Sequence, residues 1–276
     1  MEINLKRIKY KSRSDRFMIV PIGDCHLGSC NCDLDKLKRL LEWCVATPNV
    51  YVILMGDLIE CISYAGGEKR FDQDTIAEPY KSNLPRLIQL QTEDILTIFE
   101  PLAKTGRILG YHRGNHEESA RKKYTTDICY ELWREWKGAI PMLKDVALTR
   151  LQFERLGGTV STLDIFSAHG NVAGRTEGSK INRLTNIMSM FDADVYFIAH
   201  GHSKLTLSKS VLGLNHTDEM RLVERKKVAG MTGSFLKTYG QNGTSCYAEK
   251  SLYPPSALGV IKVTFSPMSY DLHISE

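Results

Sequence analysis

Short apolar runs alternate along much of the chain with stretches whose apolar residues recur at helical spacing. Two uncharged runs of strand length stand at Phe17–Ile22 and at residues 50–55. Between them, Asp33 precedes apolar side chains at every third or fourth position from Leu34 to Val45, which is the pattern of a capped helix packed on a sheet. Strands that alternate with helices in this way predict an α/β fold.

The alternation continues beyond this first unit. Helical spacing recurs at three places and strand-length runs at two, namely residues 87–102, 117–137 and 178–191 for the helices and 107–111 and 194–199 for the strands. Gly157 and Gly158 separate two strand-like runs, which predicts a β-hairpin. After residue 203 short strands and glycine-rich turns predominate, so residues 204–276 are predicted to complete a second sheet. No composition break marks a linker, so residues 1–276 are predicted to form a single domain.

The composition limits the class of protein. Of the 276 residues, 42% are hydrophobic and 25% are charged, which is ordinary for a globular protein and excludes intrinsic disorder. No stretch approaches the ~18 apolar residues of a membrane span. The basic N-terminus lacks an apolar run and the seven cysteines are an odd number, so we predict no signal peptide and a cytoplasmic protein with reduced thiols.

The charge leaves one class of partner open. A net charge of +4 permits nucleic acid as a partner without requiring it, and no membrane is expected as a partner. The basic stretch between Lys6 and Arg16 is consistent with a nucleic-acid track, or with an edge strand that lysines protect from pairing. The sequence leaves the oligomeric state open.

Polar side chains follow five of the predicted strands. They are Asp24, His26, Asp57, Asn115, His116, His169, His200 and His202. In layered α/β folds ligands bind at the carboxyl ends of the strands, so these side chains are predicted to meet. Residues two apart on leaving a strand point to the same side, so Asp24 with His26, and His200 with His202, can each chelate one ion.

The donor atoms indicate the kind of metal. Imidazole nitrogens with carboxylate and amide oxygens, and without thiolate, suit Mn, Fe, Zn, Co or Ni rather than Ca. So many polar groups on one rim are costly without a cation, and one ion cannot use them all. Two divalent ions can, and a pair of ions ~3.5–4 Å apart clamps both oxygens of an in-line phosphoryl displacement.

The five blocks together resemble those of the calcineurin-like metallophosphoesterases. They follow the family's order through the motif-bearing region 17–203, with Ala199 where the family usually has glycine. The resemblance implies a four-layer α-β-β-α sandwich with mixed sheets. It also implies a ligand set, in which one ion is held by Asp24, His26 and His202, Asp57 bridges, and the second ion is held by Asn115, His169 and His200.

The resemblance implies a chemistry as well. Two divalent ions, with Mn expected and Fe, Zn, Co or Ni as alternatives, hold a bridging hydroxide that attacks a phosphate ester in line. His116 contacts the phosphate or protonates the leaving oxygen. Glu117 is a candidate for orienting His116 or a metal ligand. Three further candidates for contact with substrate are His112, Arg113 and, in the loop after His169, Arg175.

The motif pattern is closest to the phosphodiesterase and nuclease branch of the family, which includes virus-encoded members. The favoured function is therefore a phosphodiesterase, with nuclease activity as one form of it. A phosphomonoesterase is the alternative. Protein phosphatases of the superfamily carry an arginine in the second block, where this chain has Glu60 and then Cys61, which disfavours that branch. An inactive metal-binding scaffold is a third hypothesis, and the intact His116 counts against it.

Overall fold

A computed structural model describes residues 1–64, 71–158, 160–172, 174, 176–214, 220–240 and 247–276. The strands are β1 (Glu2–Tyr10), β2 (Phe17–Ile22), β3 (Val50–Leu54), β4 (Ile108–His112), β5 (Met142–Lys144), β6 (Val146–Arg155), β7 (Val160–Ala168), β8 (Val195–Ile198), β9 (Lys204–Leu214), β10 (Leu222–Ser234), β11 (Gly259–Val260), β12 (Lys262–Ser266) and β13 (Asp271–Ser275). The helices are α1 (Leu34–Ala46), α2 (Glu78–Lys81), α3 (Leu87–Lys104), α4 (Asn115–Tyr124), α5 (Ile128–Glu135), α6 (Glu177–Met190) and α7 (Tyr247–Lys250). Within these ranges no helix has the length and apolarity that crossing a bilayer requires.

The strands form two mixed sheets. One sheet has the order β13-β12-β2-β3-β4-β5, in which β2 to β5 are parallel. In the other sheet β1, β6, β7, β8 and β10 are neighbours in that order, β9 pairs along the outer side of β10, and β11 pairs with the end of β10. Because β8 is parallel to both β7 and β10, the carboxyl ends of these three strands lie at the same end of the sheet.

The two sheets pack face to face between two layers of helices. Phe17 and Ile19 of β2 meet Phe153 of β6 in the core between the sheets. On the opposite face of β2, Val20 and Ile22 pack in a second core with α1, α3, α4 and α5. Helix α6 packs on the outer face of the sheet that contains β8. The layers are therefore α-β-β-α, which confirms the predicted fold class.

Most predicted elements are confirmed, with small shifts at their ends. The Asp33 carboxylate caps α1 by accepting a hydrogen bond from the Lys36 N–H. The predicted hairpin is β6–β7, and Gly157 and Gly158 have positive φ in its turn. The first part of the basic N-terminal stretch, residues 6–10, lies in β1, an edge strand, which is one of the two alternatives that its sequence left open. Residues 11–16 form the connection to β2.

The predicted helix over residues 117–137 is wrong in its extent. Two helices, α4 and α5, occupy this stretch, and Thr125 separates them with a left-handed φ of 56°. Asp127 then caps α5, because its carboxylate accepts from the Tyr130 N–H. The apolar positions 120, 124, 128, 132 and 136 keep a four-residue spacing across the break, so periodicity alone did not reveal it.

The C-terminal part of the chain, predicted to complete the second sheet, supplies strands to both sheets. Strands β9, β10 and β11 belong to the sheet with β8, whereas β12 and β13 extend the sheet with β2. The antiparallel pairing of β12 with β2 is what brings the end of the chain back to the other layer.

Candidate metal centre

The eight predicted side chains meet where strands of both sheets end. The sheet with β2 supplies Asp24, His26, Asp57, Asn115 and His116. The sheet with β8 supplies His169, His200 and His202. The structure thus brings together residues that lie up to 178 positions apart in sequence, at the carboxyl ends of β2, β3, β4, β7 and β8.

Asp24, His26 and His202 form the first group of candidate ligands, with one donor atom from each lying within 4.8 Å of the others. The Nε2 atoms of His26 and His202 are 3.1 Å apart, and His202 Nε2 is 3.4 Å from Asp24 Oδ1. Asp24 is fully buried, and among the described residues this oxygen has no hydrogen-bond partner. A buried carboxylate oxygen beside two imidazole nitrogens is costly unless a proton or a cation lies between them.

Asp57, His169 and His200 form the second group, within the same 4.8 Å limit. His169 Nε2 is 3.3 Å from Asp57 Oδ2 and 3.0 Å from Asn115 Oδ1. His200 Nδ1 is 2.6 Å from the same amide oxygen. Because His169 Nδ1–H donates to the Met55 carbonyl, Nε2 is the ring atom that faces Asp57 and Asn115 and that gains or loses the titrating proton. Without a proton or a cation between them, lone pairs of these donor atoms would point at one another.

The electrostatics of these groups fit a cation. Burial lowers the pKa of His169, but the Asp57 and Asp24 carboxylates outweigh burial and raise that pKa to about 10. Burial raises the pKa of Asp57, but His169 and His116 outweigh it and hold that pKa well below its usual value. A site that holds a proton so firmly also favours a divalent ion, and its nitrogen and oxygen donors suit Mn, Zn, Fe, Co or Ni.

Left-handed bends of the backbone orient most of the candidate ligands. Five of them have left-handed φ angles between 48° and 65°, namely Asp24, His26, Asp57, His200 and His202. Asp24 and His26 do lie together as predicted, but they leave β2 through a bend and not as alternating strand residues. Left-handed φ in residues other than glycine costs about 1 kcal/mol or more each, and such strain gathers at functional sites.

Comparison with known proteins identifies the family. The sequence profile described as calcineurin-like phosphoesterase matches residues 17–230. The chain belongs to this family. A search of curated protein sequences gave no match.

Several solved structures are similar to this calcineurin-like phosphoesterase over most of its length. Vps29 from Entamoeba histolytica, complexed with Zn2+, is 10% identical with a TM-score of 0.37, and the alignment covers 94% of this chain and 97% of that one. Vps29 from Chaetomium thermophilum is 12% identical with a TM-score of 0.38, covering 94% and 93%. A metallophosphoesterase from Sphaerobacter thermophilus is 12% identical with a TM-score of 0.37, covering 94% and 88%.

Glu60 is a residue of this phosphoesterase that sequence reasoning did not single out. Its Oε2 accepts a hydrogen bond from His26 Nδ1–H at 2.8 Å, which leaves His26 Nε2 free to bind a metal. The Glu60 backbone carbonyl accepts from His116 Nδ1–H. The only signal in the sequence is a carboxylate three residues after Asp57, in a stretch without periodicity.

Glu117 supports the backbone that carries Asp57. Its carboxylate accepts from the N–H groups of Asp57 and Gly114, both at 2.9 Å, and of Leu58 at 2.7 Å. The backbone approach here is close, because a Cβ on Gly114 would lie 2.1 Å from Asp57 Oδ1. Of the two orienting roles predicted for Glu117, these contacts favour the one in which it orients a candidate metal ligand, Asp57.

The three weaker candidates for contact with substrate have different positions. His112 is 1% exposed, donates from Nδ1 to a carbonyl of β5 and accepts at Nε2 from the Ser167 hydroxyl at 2.8 Å, so it joins the two sheets. Arg113 pairs with Asp127 at 2.8 Å and thereby joins α4 to α5. Arg175 lies outside the described residues.

Lys180 of α6 holds the loop that carries the last two candidate ligands. Its buried ammonium donates to the Gly201 carbonyl at 2.9 Å and to the Ser203 hydroxyl. Gly201 lies between His200 and His202, both of which have left-handed φ. Burial lowers the pKa of Lys180, which is the direction expected for an ammonium bound to neutral acceptors.

Proposed function

We propose that this chain is a phosphodiesterase that depends on two divalent metal ions, with Mn as the expected metal. The observation that carries the proposal is the juxtaposition of the two candidate ligand groups, with the Asn115 oxygen beside the second. Bound divalent ions lower the pKa of water and stabilise charge on phosphoryl oxygens. Asp24 and Asp57 supply two negative charges, fewer than two divalent ions bring, so the site favours an anionic phosphate ester.

His116 is the proposed general acid. Its Nδ1–H donates to the Glu60 carbonyl, so Nε2 is the ring atom that faces a leaving group. Burial lowers the pKa of His116, but Asp57 and Glu60 outweigh it and raise that pKa above its ordinary value. This shift favours the protonated ring, and in the proposed reaction the Nε2 proton passes to the departing ester oxygen.

Cys61 supports a diester over a monoester as the substrate. In the protein phosphatases of the superfamily, the motif position that corresponds to Cys61 is an arginine. Cys61 is buried, and its N–H donates to Gln91 Oε1 at 3.0 Å. A monoester dianion has one more charge to neutralise than a diester, and Cys61 supplies no cation for it.

Hydrolysis of two chromogenic esters tests the proposal. Metal-stripped protein reloaded with Mn should hydrolyse bis(p-nitrophenyl) phosphate faster than p-nitrophenyl phosphate, and chelator should abolish both rates. Preference for the monoester would make the chain a phosphomonoesterase. Bound metal without hydrolysis of either ester would make it a scaffold.

A leaving-group series tests the role of His116. Removing a general acid lowers rates by about 10²–10⁴-fold when the leaving oxygen needs its proton. The substitution His116→Ala should therefore slow hydrolysis of an alkyl diester far more than that of the p-nitrophenyl diester, whose leaving group departs without a proton. The exposed His273→Ala serves as the matched control. Equal losses on both esters would remove His116 from the acid role.

Nucleic acid is the polymeric diester to examine next. A protein that binds nucleic acid through phosphate contacts loses affinity steeply as salt rises. Oligonucleotide hydrolysis with such a salt dependence would specify the phosphodiesterase as a nuclease. Affinity that is absent or flat in salt would exclude nucleic acid as the substrate.

A further inference from the structure

The sheet with β8 has two edges that differ in composition. Strand β1 forms one edge and carries Glu2, Lys6, Arg7 and Lys9 among its nine residues. Two of its polar side chains are tied to the other sheet, because Asn4 donates to the Leu109 carbonyl at 2.9 Å and Lys6 to the Gly106 carbonyl at 3.1 Å. Charges on an edge strand, above all inward ones, protect it from pairing with another chain.

Strand β9 forms the other edge and has less of this protection. It is eleven residues long, spans about 37 Å at ~3.4 Å per residue, and within the described ranges it pairs with β10 alone. At the start of the strand, Lys204 Nζ lies 3.9 Å from Glu276 Oε2. Lys209 is the one charged residue between positions 205 and 214. A long, exposed and nearly uncharged edge is a template for a further strand.

The end of this edge also carries uncovered leucines. From Leu222 to Lys227, before β10 reaches β8, it pairs only with β9 among the described residues, so the two strands form a ribbon there. Val228 lies in the core between the sheets, and along the same face of the ribbon Leu212, Leu214 and Leu222 are 64%, 56% and 69% exposed. The same face also carries Glu224 and Lys226 of β10, opposite Leu212 and Ser210. A two-stranded ribbon is marginally stable in water by itself, so a further strand along its edge would stabilise it.

We propose that β9 pairs antiparallel with β9 of a second copy of this chain, about a twofold axis near residue 211. Antiparallel pairing of identical strands is the arrangement that a twofold axis allows, because each strand then offers the other the same surface. In a register centred on residue 211, Lys209 lies opposite Gly213 of the second copy, so the like charges do not face each other. The same register sets Leu212 opposite Ser210 and brings the leucine-bearing faces of both ribbons to one side of a continuous sheet.

The proposed dimer leaves both metal centres open. Strand β10 reaches the metal centre at its carboxyl end, where the Ser234 hydroxyl donates to the Asp24 carbonyl at 3.0 Å. The leucines lie at its other end, and the ten steps along the strand from Leu222 to Thr232 span about 34 Å. Because the paired strands run in opposite directions, the two metal centres lie at opposite ends of the dimer, and each works independently of pairing.

Molar mass in solution tests this proposal with matched lysine substitutions. The full chain should have twice the 31.2 kDa mass of one copy in light scattering. Leu212→Lys should weaken the dimer by about 10-fold or more, because two leucines that flank the axis on one face of the paired sheet become like charges. The control is Ile3→Lys on β1, an exposed aliphatic residue on the other edge of the same sheet, and it should leave the dimer intact.

The controls make the outcomes distinct. Leu212 is exposed in the single chain, so Leu212→Lys should keep the melting temperature of the fold and the turnover per chain, and Leu214→Lys should repeat its effect. A wild-type chain that is monomeric at every concentration would overturn the proposal. So would a dimer that survives both leucine substitutions, or one that Ile3→Lys dissociates.

Discussion

Glu60 determines how His26 is presented to a metal. Its carboxylate holds His26 Nδ1–H at 2.8 Å, and carboxylate partners of this kind fix the ring and raise its basicity. We expect Glu60→Ala to weaken metal binding by about 10–100-fold, and Glu60→Gln, which retains an acceptor but not the charge, to weaken it less. Calorimetric metal titration measures the order of the metal affinities, and the exposed Glu93→Ala of α3 is the matched control. Equal affinity in all four proteins would remove Glu60 from this role.

His112 makes stability depend on pH. Burial between the sheets lowers its pKa to about 4, although the hydrogen bond that Nδ1–H donates to the Lys144 carbonyl opposes this shift. Since the unfolded imidazole titrates near 6.5, the unfolded state binds the extra proton between these values. Stability from this group is therefore present above pH ~6.5 and is lost as pH falls toward 4, by about 3 kcal/mol. Urea unfolding of His112→Gln should show a correspondingly smaller loss between these pH values, whereas the exposed His273→Gln should match the wild type.

Some of the site residues can be identified from the sequence alone, and others cannot. Asp24, Asp57 and His169 stand directly after apolar runs, so strand topology alone places them at one end of the fold. Glu60 and Lys180 act through hydrogen bonds to residues more than 20 positions away, and no local pattern encodes such contacts. Their partners follow from how the loops fold back, which depends on tertiary packing.

Helix α6 and the loop after β8 act as one unit through Lys180. Its hydrogen bond to the Gly201 carbonyl restrains a loop in which His200 and His202 both have left-handed φ. We expect Lys180→Met to reduce metal affinity by about 10-fold or more, because the loop then relaxes from the ligand geometry. Arg183→Met, on the exposed face of the same helix, should have no effect. The two proteins should have the same circular dichroism, and an unchanged metal affinity in Lys180→Met would contradict the restraint.

At the scale of elements, the sequence predicts existence and order better than boundaries. The Asp33 cap and the apolar stripe after it were sufficient for α1, because local propensity and packing agree there. The break between α4 and α5 was missed, since the apolar spacing runs through it. It depends on Thr125 in a left-handed conformation and on the ion pair of Arg113 with Asp127, which only the folded arrangement brings together. The division of residues 204–276 between two sheets is a long-range pairing of the same kind.

The metal centre joins the two halves of the molecule. The first and the second candidate ligand groups each take residues from both sheets, such as Asp24 and His202 in the first and Asp57 and His200 in the second. An ion bound there must stabilise the packing of one sheet on the other, in addition to its part in chemistry. At ~100 times its dissociation constant a ligand adds about 2.7 kcal/mol, which for a domain of this size raises the melting temperature by several degrees.

This linkage predicts a dependence on ligands from both sheets. We expect Mn to raise the melting temperature of the stripped protein, and Asp24→Asn on one sheet and His200→Gln on the other each to reduce that rise. Ca2+ should give a smaller rise, because imidazole donors suit it poorly. His273→Gln is the control that keeps the full rise. If one of the two ligand substitutions left the rise intact while the other abolished it, the stabilising ion would be held by a single sheet, and the joining of the halves would rest on the apolar core between them alone.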